Sequence, residues 1–512
     1  MFPCRLCKKI SSSFRSESHS SCGFFYALGD SEAVTTHKPR PDDERIHTLN
    51  GICLIELLYK GAGSWMSSKV KLTGRVIFKG DPGYEAARKN WDPHTDRFPK
   101  VFVFAQKTQD VANAIRWARQ NHVPLRARSG RHALEGNLSQ INGGIVIDVS
   151  EMKKITLDKK SGTVIVETGN QVGRIVDTLA RQGFMAPFGD SPTVGIGGIT
   201  PGGGIGPLQR TTGLICDNLI GLEMVDAKGR VIRANHKQNS DLLWASRGGG
   251  GGNFGIYTQY KFKVLPAPAK ATVFSITWPW EQFEEVVRKW QVWAPNASNK
   301  LGSELSVGPK KGGNVSMLGI YLGSKVKALH QLKPILSVGT PTQKVIRYLP
   351  YTEATKFMLA PDPVLTQRYS NQFSSGFGKQ PFPDKAYKVM REFLEKAEGG
   401  TPAGFFFLNW GGAVSRVAPQ ATAFYWRQAK YYVEWNSSWV KPSHAARNIA
   451  LARNTRKKLK PYIVGSYINV PDQGIKCPGP VYYGKNYARL KKIKAKYDPK
   501  NVFNNPQSIP PA

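Results

Sequence analysis

The chain has 512 residues, of which 40% are hydrophobic, and its 72 Lys and Arg against 36 Asp and Glu give a formal net charge of +36. It is long enough for two or three domains with cores of their own, and no apolar run approaches the roughly 20 residues of a membrane span. The basic charge is dispersed, with dense clusters at residues 453–460 and 489–496, and no recognisable nucleic-acid-binding module accompanies it. A nucleic-acid partner is therefore disfavoured, whereas adhesion to an acidic coat or surface matrix and plain solvation of basic faces explain the charge equally well.

Residues 1–65 differ from the rest of the chain. They contain four of the six cysteines and lack an amphipathic period or a secretory hydrophobic segment with a cleavage site. Cys4 and Cys7 are not followed by a second pair with histidines, which disfavours a zinc site, and we predict no metal. We expect Met66 to be the true initiator, so that residues 1–65 form a non-conforming extension, and we expect synthesis in the cytoplasm without a signal peptide.

The chain that follows alternates short apolar runs with glycine-rich turns. Residues 109–120 have the apolar spacing of a helix. Strands are predicted at residues 101–105, 124–128, 144–148 and 163–167.

Two glycine-rich turns lie at the ends of these strands, at residues 128–132 and 191–206. Such turns bring backbone N–H groups close to an anionic diphosphate. Neither has the Rossmann pattern, because residues 202–206 run into Pro207 instead of opening a helix with an acidic residue farther on. A histidine beside a single turn, such as His132, is more often a polar surface residue, but its position between predicted strands favours a dinucleotide site other than a nicotinamide one.

The middle of the chain has a different pattern. Helices are predicted at residues 280–294 and 381–396, with alternating strands between and after them, for example at residues 404–411 and 430–435. The prolines that follow residue 265 indicate a boundary. This mixture is typical of an antiparallel sheet covered by helices, and we interpret the aromatic stripes as core.

Separated motifs in order resemble one known family. They lie at residues 128–136, 191–206, 213–218, 241–256 and 482–511. In this order they resemble the berberine-bridge-enzyme-like, FAD-linked oxidases of the vanillyl-alcohol-oxidase superfamily, and most closely the spore-coat-associated oxidoreductases of Gram-positive spore formers. The resemblance runs from about residue 68 to the end and raises the possibility of a spore-coat location.

The resemblance implies an α+β fold with two domains. It implies a discontinuous FAD-binding domain and an antiparallel-sheet substrate domain covered by helices. The expected boundaries are 66–265 for the FAD-binding domain, 266–464 for the substrate-binding domain and 465–512 for a C-terminal segment that completes the flavin domain.

The resemblance also implies how FAD is held. His132 corresponds to the histidine that bonds to the flavin 8α-methyl group, and a neutral imidazole is a suitable nucleophile. Ser129, Gly130 and Arg131 should wrap the diphosphate, although Arg131 stands where glycine is more usual. Ser191 replaces the cysteine that makes a second bond in many relatives, so we predict one covalent attachment, through His132 only.

Further cofactor contacts follow from the same motifs. The residues expected along the diphosphate and isoalloxazine are Thr193, Val194, Gly195, Gly197, Gly198, Gly202, Gly203 and Gly204. Asn253, Gly255 and Ile256 are expected near the adenine, and Tyr483 and Asn486 at the flavin ring. Val194 is of the type that relatives use where oxygen has access, which favours O₂ as the electron acceptor and H₂O₂ as the product.

Three residues are candidates for catalysis. Tyr467 corresponds to a catalytic tyrosine of sugar- and alcohol-oxidising relatives, and such a base must reach the substrate hydroxyl. Asn409 and Tyr425 fall on segments that face the flavin in the family, although the family often has an acidic residue or glutamine near the first and Pro-His in place of the residues around the second. For each of the three, a packing role is the alternative.

The expected activity is oxidation of an alcohol, sugar or related small molecule. Two alternatives stay open: a structural spore-coat or surface protein that retains a flavin fold with little turnover, and a dehydrogenase that uses another electron acceptor.

Overall fold

The computed structural model describes residues 70–92, 97–185, 187, 189–359 and 369–512. The predicted extension at residues 1–65 and the initiator Met66 lie outside these ranges. Within them, we find no helix with the length and apolar character needed to cross a bilayer.

A four-stranded sheet comes first. Its strands are β1 (Arg75–Phe78), β2 (Val101–Phe104), β3 (Leu125–Arg128) and β4 (Ile145–Asp148), in the order β1-β2-β4-β3. β4 is parallel to both β2 and β3, and parallel strands need a long crossover. Helix α2 (Thr108–Gln120) supplies the crossover from β2 to β3, and the short α1 (Tyr84–Arg88) follows β1. The apolar runs thus form strands within one residue of the predicted bounds.

A five-stranded antiparallel sheet follows. Its strands are β5 (Ile155–Asp158), β6 (Thr163–Glu167), β8 (Leu219–Val225), β9 (Val231–Asn235) and β10 (Ile256–Lys263), in the order β5-β6-β10-β8-β9. The segment from β6 to β8 contains α3 (Val172–Ala180), β7 (Phe184–Met185), α4 (Ile196–Ile199) and α5 (Gln209–Thr212). Helix α6 (Ser240–Ala245) joins β9 to β10, and β7 pairs with β11 (Leu265–Pro266). The second glycine-rich loop therefore lies in sequence between β6 and β8, the two strands that flank the central strand β10.

The middle of the chain forms a seven-stranded antiparallel sheet. Its strands are β12 (Lys270–Trp278), β13 (Leu301–Val307), β14 (Val315–Tyr321), β15 (Gln343–Pro350), β16 (Ser370–Gly378), β17 (Gly404–Asn409) and β18 (Tyr431–Trp439). Their spatial order is β15-β12-β14-β13-β17-β18-β16. The helices of this region are α7 (Phe283–Asn296), α8 (Lys325–Leu336), α9 (Tyr351–Met358), α10 (Asp384–Lys396), α11 (Ala413–Arg416) and α12 (Ala445–Leu459).

The two faces of this sheet differ, because successive side chains of a strand point to opposite sides. On one face, Phe405, Phe407 and Trp435 pack in a buried core with Trp290 of α7 and Phe393 of α10. Aromatic side chains bury large areas and dominate the stability of such a core. The aromatic stripes are therefore core, as the sequence indicates, and the opposite face is free to form a site.

The chain ends in α13 (Pro478–Tyr483) and α14 (Tyr487–Tyr497). Leu490 and Ile493 of α14 pack in the same core as Val164 and Val166 of β6. The C-terminal residues thus return to the sheets that carry the glycine-rich loops. The α+β architecture with two parts and an antiparallel, helix-covered sheet is as predicted.

Candidate active site

The two glycine-rich loops pack directly against each other. A Cβ atom on Gly130 would overlap the backbone nitrogen of Gly195, and one on Gly195 would overlap the nitrogen of Gly130. Side chains at these positions would push the loops apart. This contact explains why two turns more than sixty residues apart in sequence both need glycine, and it brings His132 to the second loop.

The first loop presents backbone donors. Arg131 has φ of +62°, in the left-handed region that favours glycine. Successive N–H groups around such a residue form a concave anion site. Within the described residues, the N–H groups of Gly130, Arg131 and His132 donate no backbone hydrogen bond, so they are available to a diphosphate. Glycine at this position would adopt the same conformation without strain, in line with the family pattern.

His132 is fixed by the second loop. Its Nε2 lies 2.7 Å from the hydroxyl oxygen of Thr193. Burial lowers the pKa of the imidazole to about 4, because the charged form loses its hydration. The ring is therefore neutral near pH 7, which is the state in which a ring nitrogen is nucleophilic.

A cavity of about 640 Å³ extends from His132 along both loops. A smaller cavity of about 120 Å³ is also lined by Gly198 and lies next to the start of β10. Ser191 Oγ and Arg128 Nη2, on two residues of the cavity wall, are buried without a hydrogen-bond partner in the described structure. Unpaired donors and acceptors of this kind are satisfied when a polar ligand binds, and the site has the length, glycine walls and donors that FAD needs.

Most predicted cofactor residues lie at these two cavities. Those in the wall of the larger cavity are Ser129, Gly130, Arg131, His132, Ser191, Val194, Gly195, Gly198 and Asn253. Gly197, Gly255 and Ile256 line the smaller one. Thr193 acts through its hydrogen bond to His132.

The remaining predicted cofactor residues contact neighbouring segments of the protein. Gly202 and Gly203 approach the side chains of Asn469 and Phe424 so closely that a Cβ would overlap them. Tyr483 donates its hydroxyl to the carbonyl of Gly249 at 3.0 Å. Within the described structure, neither cavity is lined by Gly202, Gly203, Gly204, Tyr483 or Asn486.

The contact of Tyr483 and Asn486 with the flavin ring stays a prediction, and in the described structure both side chains bond to main-chain carbonyls. The Asn486 side-chain amide donates to the carbonyls of Pro419 and Thr422 at 2.8 and 3.0 Å. Both residues hold other loops in place through hydrogen bonds to main-chain carbonyls.

Tyr467 reaches the cavity wall from the C-terminal segment. Its phenol oxygen accepts hydrogen bonds from the N–H of Gly204 at 2.9 Å, from the N–H of Ile205 at 3.3 Å and from the Asn469 side-chain amide at 2.8 Å. Burial raises the pKa of this hydroxyl above its ordinary value, and the three donors act in the opposite direction because they stabilise the phenolate. Gly204 thus contributes to the site by positioning Tyr467.

Asn409 and Tyr425, the other two predicted catalytic residues, contact neighbouring parts of the protein. Asn409 accepts from the N–H of Ser303 and donates to the carbonyl of Leu301, each at 3.1 Å, and the pleat of β17 turns it toward the helix-covered core with Phe407. The ring of Tyr425 packs edge-on against Trp426, with centroids 5.1 Å apart. Neither is among the described residues of the cavity wall, so their positions favour the packing alternative.

Three acidic residues of the wall are absent from the sequence prediction. They are Asp190, beside the second loop, Glu304 on β13 and Glu434 on β18. Burial, with a contribution from the charge of Asp190, raises the pKa of Glu304 well above its usual value and that of Glu434 to about 7. An acidic residue among apolar ones in a predicted strand, as in residues 430–435, is the pattern that would have indicated them.

A buried ion pair joins the two parts of the molecule beneath this site. The Arg427 guanidinium donates to both carboxylate oxygens of Asp217, each at 2.7 Å, and its side chain has no exposed area. Asp217 belongs to the motif at residues 213–218 and precedes β8, whereas Arg427 precedes β18. The bidentate geometry fixes this motif relative to the segment that leads into β18.

The fold and this cavity define an FAD-linked oxidoreductase. Residues 99–235 match the family described as FAD binding domain, and residues 466–510 match the family described as berberine and berberine like. The FAD-linked oxidoreductase YvdP of Bacillus subtilis is 56% identical over 86% of this chain and 99% of its own length, and YgaK of the same organism is 41% identical over 86% and 98%. The chain belongs to the berberine-bridge-enzyme-like FAD-linked oxidoreductases, and the resemblance seen in the motifs is confirmed.

Solved structures agree with this assignment. BBE-like 1 of Physcomitrella patens superposes with a TM-score of 0.80 at 29% identity, over 86% of this chain and 97% of the other. A chitooligosaccharide oxidase and the grass pollen allergen Phl p 4, described as having glucose dehydrogenase activity, are each 25% identical, with TM-scores of 0.77 and 0.76, over 86% and 85% of this chain and 97% of each of theirs. Both oxidases and dehydrogenases are thus among the similar proteins.

Proposed function

We propose that this oxidoreductase removes two electrons and two protons from an alcohol, sugar or related hydroxyl-bearing small molecule and passes the electrons to O₂. The substrate C–H and O–H bonds break to give a carbonyl, and O₂ gains two electrons and two protons to become H₂O₂. The observation that carries the proposal is that one cavity contains both His132 of the first glycine-rich loop and Tyr467 of the C-terminal segment. FAD, when bound, supplies the two-electron acceptor for this chemistry.

Tyr467 is the proposed proton acceptor. A base must lie within hydrogen-bond reach of the hydroxyl that it deprotonates. The N–H groups of Gly204 and Ile205 and the amide of Asn469 all point at its oxygen, and such preorganised donors stabilise negative charge where water is excluded. These donors stabilise the phenolate form of Tyr467, which takes the proton of the substrate hydroxyl and becomes a neutral phenol.

His132 is the proposed single point of covalent attachment. Its neutral imidazole is held by Thr193, and Ser191 offers a hydroxyl where many relatives have a cysteine. A serine hydroxyl is far less nucleophilic than a thiolate. Flavin should consequently stay with the protein after acid precipitation in the wild type and be released in His132→Ala.

Val194 is the proposed control of oxygen access. It lies in the cavity wall, and a larger side chain there narrows the approach of O₂. We expect Val194→Leu to slow re-oxidation in air while leaving anaerobic reduction of the flavin unchanged. Equal re-oxidation rates would contradict this role of Val194.

The proposed activity is tested on purified yellow protein. A panel of sugars and alcohols is mixed anaerobically with the enzyme, flavin bleaching is followed, and H₂O₂ is measured after admission of air. We expect at least one compound to bleach the flavin and Tyr467→Phe to slow this by about a hundredfold or more, whereas Tyr348→Phe, on the exposed edge strand β15, should not. Bleaching without recovery in air would indicate a dehydrogenase, and absence of bleaching across the panel would contradict the proposed activity.

A further inference from the structure

The wall of the cavity that faces away from the glycine-rich loops is acidic. Glu304 on β13 pairs in register with Leu408 on β17, and Leu408 pairs with Tyr432 on β18. Glu434 is two residues beyond Tyr432, so the pleat places Glu304 and Glu434 on the same face of the sheet. Both line the cavity together with Asp190. This is unexpected in a chain whose net charge is +36.

Glu304 is an unsatisfied group. Its residue is only 6% exposed, and its Oε1 atom is buried without a hydrogen-bond partner in the described structure. A buried polar atom without a partner carries a free-energy penalty. A donor on a bound ligand would remove that penalty, so Glu304 has the properties of a group that contacts a ligand.

Within the described part of the chain, no basic side chain forms an ion pair with these two glutamates. The cavity wall contains Arg128 and Arg131, but both face Asp148, at 2.5 and 3.9 Å. Among the described residues, the Glu434 carboxyl accepts a hydrogen bond from the Tyr432 hydroxyl at 2.6 Å, and this donor is a neutral group.

The environment of the two glutamates therefore disfavours their charged forms. Burial and the negative charge of Asp190 raise the pKa of both groups. An opposite charge within about 4–6 Å has the reverse effect and favours ionised carboxylates. A cationic ligand would thus stabilise the ionised carboxylates, whereas a neutral ligand would leave the carboxyl groups protonated.

Aromatic side chains complete the same wall. Trp91, Phe373 and Phe406 line the cavity, and the rings of Trp91 and Phe373 are 5.7 Å apart between centroids. Aromatic faces attract cations when water is excluded. Carboxylates and aromatic faces in one cavity are a combination suited to a protonated nitrogen on an organic body.

We propose that Glu304 and Glu434 select a substrate that carries a protonated amine, with the ammonium group seated between the two carboxylates and the organic body against the aromatic residues. The term substrate rests on the function proposed above, whereas the preference for an ammonium group is a binding property and is tested separately.

The test compares two probes that differ in charge, benzylamine and benzyl alcohol, by isothermal titration of the flavin-loaded protein at pH 7.5. We expect the amine, which is protonated at this pH, to bind at least tenfold more tightly. In Glu304→Gln and Glu434→Gln the preference should fall at least fivefold, because each change removes one charge and keeps the shape. Glu395→Gln, which removes an exposed carboxylate paired with Lys310 on the surface, is the matched control and should keep the preference.

Equal or tighter binding of the alcohol by the wild type overturns the proposal, and this comparison needs no variant to fold. A preference for the amine that survives in both glutamine variants also overturns it. If neutral sugars or alcohols bleach the flavin while the amine has no advantage in binding, the proposed oxidation stands and the amine selectivity fails. If the amine is preferred but no compound bleaches the flavin, the selectivity stands and the proposed oxidation fails.

Discussion

His132 Nε2 and the Thr193 hydroxyl lie 2.7 Å apart, although 61 residues separate them in the chain. The hydrogen bond joins the two glycine-rich loops at the point where Gly130 and Gly195 allow them to touch. It also fixes the orientation of the imidazole, since one ring nitrogen is engaged and Nδ1 makes no hydrogen bond within the described residues. The partner of one ring nitrogen sets the role of the other.

Loss of this contact should impair flavin attachment. Thr193→Val keeps the shape of the side chain but removes the hydroxyl, so the imidazole is free to rotate and its nucleophilic nitrogen is less often in place. We expect the fraction of flavin that stays with acid-precipitated protein to fall by at least half, with total flavin bound under native conditions changing less. Thr178→Val, on the exposed face of α3, is the control. Complete attachment in Thr193→Val would show that Thr193 does not orient His132.

Arg131 provides a second prediction, on stability. Its φ of +62° is unfavourable for any residue with a Cβ, by roughly 1 kcal/mol relative to glycine. Arg131→Gly and Arg131→Ala both remove the side-chain contacts, so the difference between them isolates the backbone conformation. We expect the glycine variant to have the larger free energy of unfolding, by about 1 kcal/mol, in urea titrations.

The matched control lies at Arg119, in the last turn of α2. There the backbone is helical, and glycine should be the less stable of the two variants by about 1 kcal/mol. The same order of stability at both positions would contradict the conformational explanation.

The sequence predicts the strands, the helices and the flavin loops because their patterns are local. Apolar runs of four or five residues and turns with glycine report the conformation of their own segment. His132 and Tyr467 were assigned through the family motifs, and the structure places both at one cavity. Their chemical roles stay predictions.

The catalytic role of Asn409 stays a prediction, and its position shows what such local patterns leave open. Residues 404–409 are apolar on both faces of β17, so the sequence does not show which alternate positions face the cavity. Which alternate residues of β17 face the cavity depends on the pairing of this strand with β13 and β18, which are about 100 and 20 residues away in the chain. Tyr483 is similar, since its partner Gly249 is 234 residues distant. Contacts of this range depend on the packing of whole sheets, which no local window contains.

Asp217 and Arg427 provide a third prediction. Asp217→Asn leaves a buried guanidinium without its counter-charge, and breaking such a pair by removing one partner typically destabilises a protein by about 3–5 kcal/mol. We expect a loss of this size in the free energy of unfolding. Asp177→Asn removes a carboxylate from an exposed pair with Arg181, where about 1 kcal/mol or less is expected. Similar losses in the two variants would show that the Asp217–Arg427 pair does not stabilise the junction.

Glu434 should make stability depend on pH. Burial, and secondarily the charge of Asp190, raises its pKa from 4.5 to about 7. Between these values the folded protein keeps a proton that the unfolded chain has released. The contribution of Glu434 to the free energy of unfolding is therefore fully present below pH 4.5 and is lost as the pH rises through 7, with a span of about 3 kcal/mol at most.

His132 has the opposite effect on the pH dependence of the free energy of unfolding. Measurements on the wild type alone would therefore not show the contribution of Glu434. The pKa of His132 is lowered to about 4, so the unfolded chain binds a proton that the folded protein excludes, and stability rises with pH between about 4 and 6.5. The difference between wild type and Glu434→Gln removes this shared contribution. In urea titrations we expect the stability advantage of the wild type over Glu434→Gln to be larger at pH 5 than at pH 8, by about 2–3 kcal/mol. Glu353→Gln, which removes a surface carboxylate, is the control, and an advantage of the wild type over Glu434→Gln that is the same at both pH values would mean that Glu434 is not held protonated in the folded cavity.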